Sequence, residues 1–105
     1  MNKICYYTMY TITNYSRKQA KRLGVEIRLS KNTKKKIDVY KKKKLLCSVG
    51  GQGYNDYPTY IEKYSKHYGK KYGLAYAKSR RRLYRIRHSK DRKKGCGFYA
   101  DKILW

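Results

Sequence analysis

Tyrosines recur at positions 60, 64, 68, 72 and 76, each four residues after the last. Four residues turn about 400° on an α-helix, so such a row drifts by about 40° per step and spirals around the cylinder. Gly69 and Gly73 fall inside the row. Each disfavours continuous helix by about 1 kcal/mol against alanine. The pattern therefore predicts two helices, Thr59 to about His67 and Lys71 to about Arg87, with a break at Tyr68–Gly69. On the second helix Tyr72, Ala75, Tyr76, Ser79, Leu83 and Ile86 share one side, and Lys78, Arg80, Arg81, Arg82, Arg85 and Arg87 occupy much of the remainder. That is an amphipathic helix with a cationic outer surface.

Upstream the periodicity changes. Ile4 to Thr13 is rich in Tyr, Thr and Ile and leans towards strand. Ser16 reads as a helix N-cap, RKQAKRL as about two turns, and Gly24 as the terminating glycine. VEIRL (25–29) alternates apolar and charged residues, the mark of a half-buried strand. IDVY (37–40) and LLCSV (45–49) are β-prone and separated by KKKK, which predicts a hairpin over about 36–49 with a four-residue loop. The glycines of GGQG (50–53) predict an irregular turn, and Asp56 with Pro58 predicts the start of a helix. HSKDRKKGCG is expected to be a loop, and ADKILW a last helical turn or an extended hook. The fold expected is α+β: a small single domain over 1–105 with a short antiparallel sheet and two or three helices in its C-terminal half. Residues 1–9 read as an N-terminal extension and 97–105 as an apolar C-terminal hook.

Charge sets the functional expectation. The chain holds 29 Lys and Arg against six acids, a formal net charge of +23. Self-repulsion of that size favours a polyanionic or acidic partner. Two clusters carry it. The first contains Lys34, Lys35, Lys36, Lys41, Lys42, Lys43 and Lys44; the second contains Arg80, Arg81, Arg82, Arg85 and Arg87. These are the candidate contacts to phosphates or to carboxylates of a protein neighbour, arginine being suited to forked contacts. Tyr54, Tyr57, Tyr84 and Trp105 are the candidate packing or anchoring residues. No zinc-finger, RRM or helix-turn-helix pattern accompanies the charge.

No Ser/His/Asp or Cys/His set is evident, so no catalytic residue is assigned and no enzyme is expected. Cys47, Cys96, His67 and His88 lack metal-ligand spacing, so neither metal nor cofactor is expected. Three cysteines without a secretory signal suggest reduced thiols. No run approaches the roughly 20 apolar residues that cross a bilayer.

The blocks AKRLGVEIRLS, KKKIDVY, SVGGQGYNDYPTY, RRRLYRIRH and GFYADKILW, in that order, resemble a family of small basic proteins of nucleocytoplasmic large DNA viruses. The resemblance spans roughly Tyr10 to Trp105. Gly53, Tyr54, Asp56, Tyr57, Arg81, Tyr84, Arg87, His88 and Trp105 match its recurrent positions. The first eight residues look added, and SKHYGKKYG looks longer than the usual link. The resemblance implies a virion protein, made in the host cytoplasm and placed in the capsid interior. The expected function is that of a minor capsid protein cementing acidic surfaces of major capsid subunits. The alternative is a non-specific nucleic-acid-binding protein that coats or condenses the genome, with DNA or RNA as its partner. A neutral, apolar end on so cationic a chain favours the first, because such an end fixes geometry.

Overall fold

The computed structural model describes residues 10–105. The proposed N-terminal extension, and the part of the expected first strand up to residue 9, lie outside the described residues. The described chain forms α1 (Asn14–Leu23), β1 (Glu26–Leu29), β2 (Lys35–Lys41), β3 (Lys44–Gly51), α2 (Tyr57–Tyr68), α3 (Lys70–Arg87) and α4 (Gly95–Leu104). The architecture is α+β, with a three-stranded antiparallel sheet in the order β1-β2-β3 and three of the four helices in the C-terminal half. The chain divides into two compact units, one ending at Tyr54 and one running from Asn55 to Trp105.

In the first unit, α1 begins before the cap expected at Ser16. The Thr13 hydroxyl accepts the Ser16 backbone N–H at 3.1 Å, satisfying one of the amides the first turn leaves over. Ser16 sits inside the helix, fully buried, where its side chain meets Thr13 Oγ1 at 3.2 Å. Gly24 ends the helix as expected, its N–H reaching the carbonyls of Ala20 and Lys21.

The sheet register pairs Ile37 with Leu29 and Val49, and Val39 with Ile27 and Cys47. Those residues share one face because side chains alternate along a strand. Ile37 and Val39 are fully buried there, with Val49 and Cys47 nearly so. The opposite face of β2 carries Lys36, Asp38 and Tyr40. Lys36 and Asp38 are buried as well, so each requires polar partners. Asp38 accepts hydrogen bonds from Ser30 Oγ and Ser48 Oγ, both at 2.6 Å, and from the Lys31 N–H at 3.2 Å. Burial alone pushes the Asp38 carboxyl up. The three hydrogen bonds and the Lys31 charge outweigh it and hold the pKa below its ordinary value of 3.8.

The loop between β2 and β3 is tighter than KKKK suggested. Lys41 pairs with Lys44, leaving only Lys42 and Lys43 at the turn, with φ of 50° and 67°. Two positive φ angles in a two-residue loop are the signature of a type I′ turn, whose twist matches that of the strands. Cys47 is disulfide-bonded rather than a free thiol, which corrects the expectation of reduced cysteines.

In the second unit, Asp56 caps α2 through a 3.1 Å bond from the Thr59 N–H, and Pro58 stands in the first turn, as the sequence implied. Gly69 breaks the long tyrosine row. Its φ of 93° is open to glycine at little cost, and it stands as the single residue between α2 and α3. The two helices then pack closely. A β-carbon on Gly73 would stand 2.1 Å from Ser65 Oγ and 2.6 Å from the Ser65 backbone nitrogen, so only glycine permits this approach.

Folding the row back on itself explains the interval of four. Tyr64 and Tyr76 stand 4.5 Å apart, Tyr60 and Tyr76 5.6 Å, and Tyr68 and Tyr72 5.0 Å, centroid to centroid. The rings of the two helices meet each other in tilted and edge contacts that suit their quadrupoles.

The segment GCG, expected as loop, is the first turn of α4, so helix runs from Gly95 through ADKIL. Cys96 in that turn is disulfide-bonded. The apolar tail is core: Ile103 and Leu104 are buried, and Trp105 stacks on Tyr84. The hook therefore packs within its own unit.

Candidate polyanion-binding groove

Lys78, Arg81, Arg82, Arg85, Ile86 and Ser89 line a shallow depression of about 520 Å³. Their spacing is that of one helix face, because residues three and four apart stand above one another. Four of the six are cations. Ile86 lies among them with 63% of its surface exposed. The depression therefore joins positive charge to exposed apolar area.

The arginines are held from behind. The Arg81 guanidinium lies 3.5 Å from the centroid of the buried Tyr57 ring, in cation–π contact. Arg80 stands over Tyr60 at 5.6 Å. Arg85 Nε donates to Asp101 Oδ1 at 3.2 Å, and Arg92 Nε donates to the same oxygen at 3.3 Å. Asp101 is fully buried on α4, so two charge-assisted bonds offset its desolvation. Its other oxygen is buried with no hydrogen-bond partner. Holding Arg85 in place this way removes part of the side-chain entropy that docking would otherwise cost.

Behind Arg85 the aromatic stack continues. Tyr84 lies against Trp105, while His88 stands 4.4 Å from it with the ring planes 29° apart. Burial, and then the Asp101 charge, push the Tyr84 hydroxyl up to about 12, so it stays protonated. His88 Nδ1 faces Asp91 at 3.4 Å.

The residues expected at contacts separate into distinct groups. Arg81, Arg82 and Arg85 come together in the groove; Arg80 and Arg87 do not line it. Lys41, Lys42, Lys43 and Lys44 cluster at the β2–β3 turn and are exposed, as is Lys34 in the preceding loop, while Lys35 is half-buried. Lys36 is a correction: it is buried, its ammonium donates to the Tyr54 carbonyl, and it lies 5.1 Å from the Tyr10 ring centroid. Its side chain is held within its own unit. Of the aromatic anchors, Tyr57, Tyr84 and Trp105 are buried in their own unit, whereas Tyr54 is 77% exposed. Asp101 and Arg92 are the bracing residues that the sequence pattern does not reveal. Asp101 stands sixteen positions from Arg85, on a segment that reads as a hook, and no local spacing links them.

Among the described residues no cluster of His, Cys, Asp and Glu could hold a metal ion, and no helix is long and apolar enough to cross a membrane. No protein-family model, curated protein or solved structure matches the chain.

Proposed function

We propose that this protein is a non-enzymatic structural component of a virus particle, a minor capsid protein that cements acidic surfaces of capsid subunits from inside the shell. The resemblance of its sequence blocks to virion-associated basic proteins supplies the setting. The observation that carries the reading is the groove on α3, where braced arginines surround an exposed isoleucine. A protein surface offers carboxylates and apolar side chains together, and a guanidinium fork matches a carboxylate in two bonds.

Coating of single-stranded nucleic acid through tyrosine stacking is less well supported. Such coating presents rings to successive bases. Here Tyr60, Tyr64 and Tyr76 are partly buried against one another.

The test is fractionation of particles that carry the chain. Detergent and moderate salt separate shells from genome, and the protein is expected with the shells. Arg82→Glu combined with Ile86→Asp changes two exposed groove residues, so the variant is expected to fold and to leave the shell fraction. Consistent recovery of the wild-type chain with the genome overturns the reading.

A further inference from the structure

The β2–β3 turn carries a contradiction between its backbone and its residues. Both loop positions have positive φ. Asn-Gly or Asp-Gly is the pair strongly favoured there, because β-carbons crowd the backbone in that region. This chain places Lys42 and Lys43 at those positions, and Lys41 and Lys44 on either side. Turn stability has been given up for charge, and strain retained in this way points to function.

The turn is also aimed. Val39 pairs with Cys47 but Tyr40 pairs with Leu45, so Leu46 is an extra residue on β3 just after the tip. A bulge of this kind bends and twists a ribbon locally. All four lysines at the tip are exposed, and no side-chain hydrogen bond or ion pair joins them to another described residue.

We propose that the Lys41–Lys44 turn binds the phosphate backbone of duplex nucleic acid, as a second contact surface distinct from the arginine groove. Charge density favours this ligand. The first and fourth residues of a β-turn stand within about 7 Å. Duplex DNA carries one phosphate charge per about 1.7 Å of axis with both strands counted, so about four lie over that length, two on each strand. A ribbon tip in a groove lies between the two strands, so its four flexible lysines face phosphates on both walls, a charge density that scattered carboxylates on a protein surface do not offer. Residue type agrees. Lysine is a compact, hydrated point charge that needs no forked geometry, so it suits contacts indifferent to sequence. A two-stranded ribbon also fits the major groove. The proposal does not rest on the capsid reading; if both hold, the protein bridges shell and genome.

The experiment replaces strain and charge together. Lys42→Asn/Lys43→Gly installs the preferred turn pair, so the fold is retained and the melting temperature rises by about 5 °C. Binding of the full chain to a 30-base-pair duplex is measured by fluorescence anisotropy over a salt series. The slope of log K against log salt is expected to shrink by about 1.8, at about 0.9 for each phosphate no longer neutralised. Lys18→Gln/Lys21→Gln, on exposed positions of α1, removes the same charge and is expected to leave the slope nearly unchanged. Polyglutamate is the second ligand, and its affinity is expected to fall no more for the turn variant than for the α1 variant. An unchanged slope for the turn variant overturns the proposal, as does an equal loss in the α1 variant. So does a loss confined to polyglutamate, which would make the turn a protein contact. The Arg82→Glu/Ile86→Asp variant leaves the turn intact, so failure of the groove reading and failure of this one are told apart.

Discussion

Trp105 lies face to face with Tyr84, with ring centroids 4.5 Å apart and planes 10° from parallel. Both rings are about nine-tenths buried. Trp105 is thus packed against the last turn of α3, and the apolar tail joins α4 to the helical pair.

Trp105→Ala removes the largest side chain of that core. A loss of about 3–5 kcal/mol is expected for a buried aromatic cut to alanine. Urea unfolding followed by circular dichroism measures it. A change under about 1 kcal/mol would mean that the stack contributes little to folding.

Tyr84 makes stability depend on alkaline pH. Its folded pKa is raised from 10.0 to about 12, so its contribution is intact below pH 10 and is lost as pH rises through 12. Two units correspond to at most about 2–3 kcal/mol. The comparison is with Tyr84→Phe, which lacks this increment. Between pH 9 and 11 the wild type is expected to lose more stability than the variant, read by chemical denaturation at each pH.

Gly73→Ala opposes two effects. Alanine favours helix by about 1 kcal/mol. The added carbon, however, meets the Ser65 backbone as well as its hydroxyl, and backbone cannot turn aside. Net destabilisation of about 1–3 kcal/mol is expected, as for overpacked contacts. A thermal melt showing a gain would mean that α2 and α3 separate at little cost.

Asp38 governs the acid side of the first unit. Its folded pKa lies below the ordinary 3.8, so its contribution is present above about pH 4 and disappears as pH falls through the lowered value. Melting temperatures between pH 2 and 5 are expected to drop more steeply for the wild type than for Asp38→Asn. Parallel curves would remove Asp38 from the account.

Local signals in the chain are sufficient where the physics is local. Asp56, Pro58 and Gly24 mark helix ends because capping involves residues within a turn of one another. Alternation in VEIRL and the β-prone runs on either side of KKKK locate the strands. The start of α1 lies earlier than expected because Thr13 and Ser16 are both good caps, and local spacing does not choose between them. The first turn of α4 is hidden because Cys96 between two glycines reads as loop. Its helical state depends on the packing of the apolar residues that follow.

The groove is half legible. A helix with arginines on its outer face follows from spacing alone, and three of the five named arginines meet in one depression. What braces them does not follow, since Tyr57 and Asp101 lie on other helices, and ring or ion contacts leave no periodic trace.

Neighbouring residues along the chain settle most of its helices and strands and the places where cations concentrate. Periodicity, capping and hydrophobicity act over a few positions, so their outcome can be read without coordinates. Folding in three dimensions settles the rest: Lys36 turns inward while Lys41–Lys44 stay outside, the tyrosine row closes on itself, and Asp101 takes two arginines on one oxygen. These outcomes depend on which distant groups reach hydrogen-bond or van der Waals distance, and the path of the folded chain sets those distances.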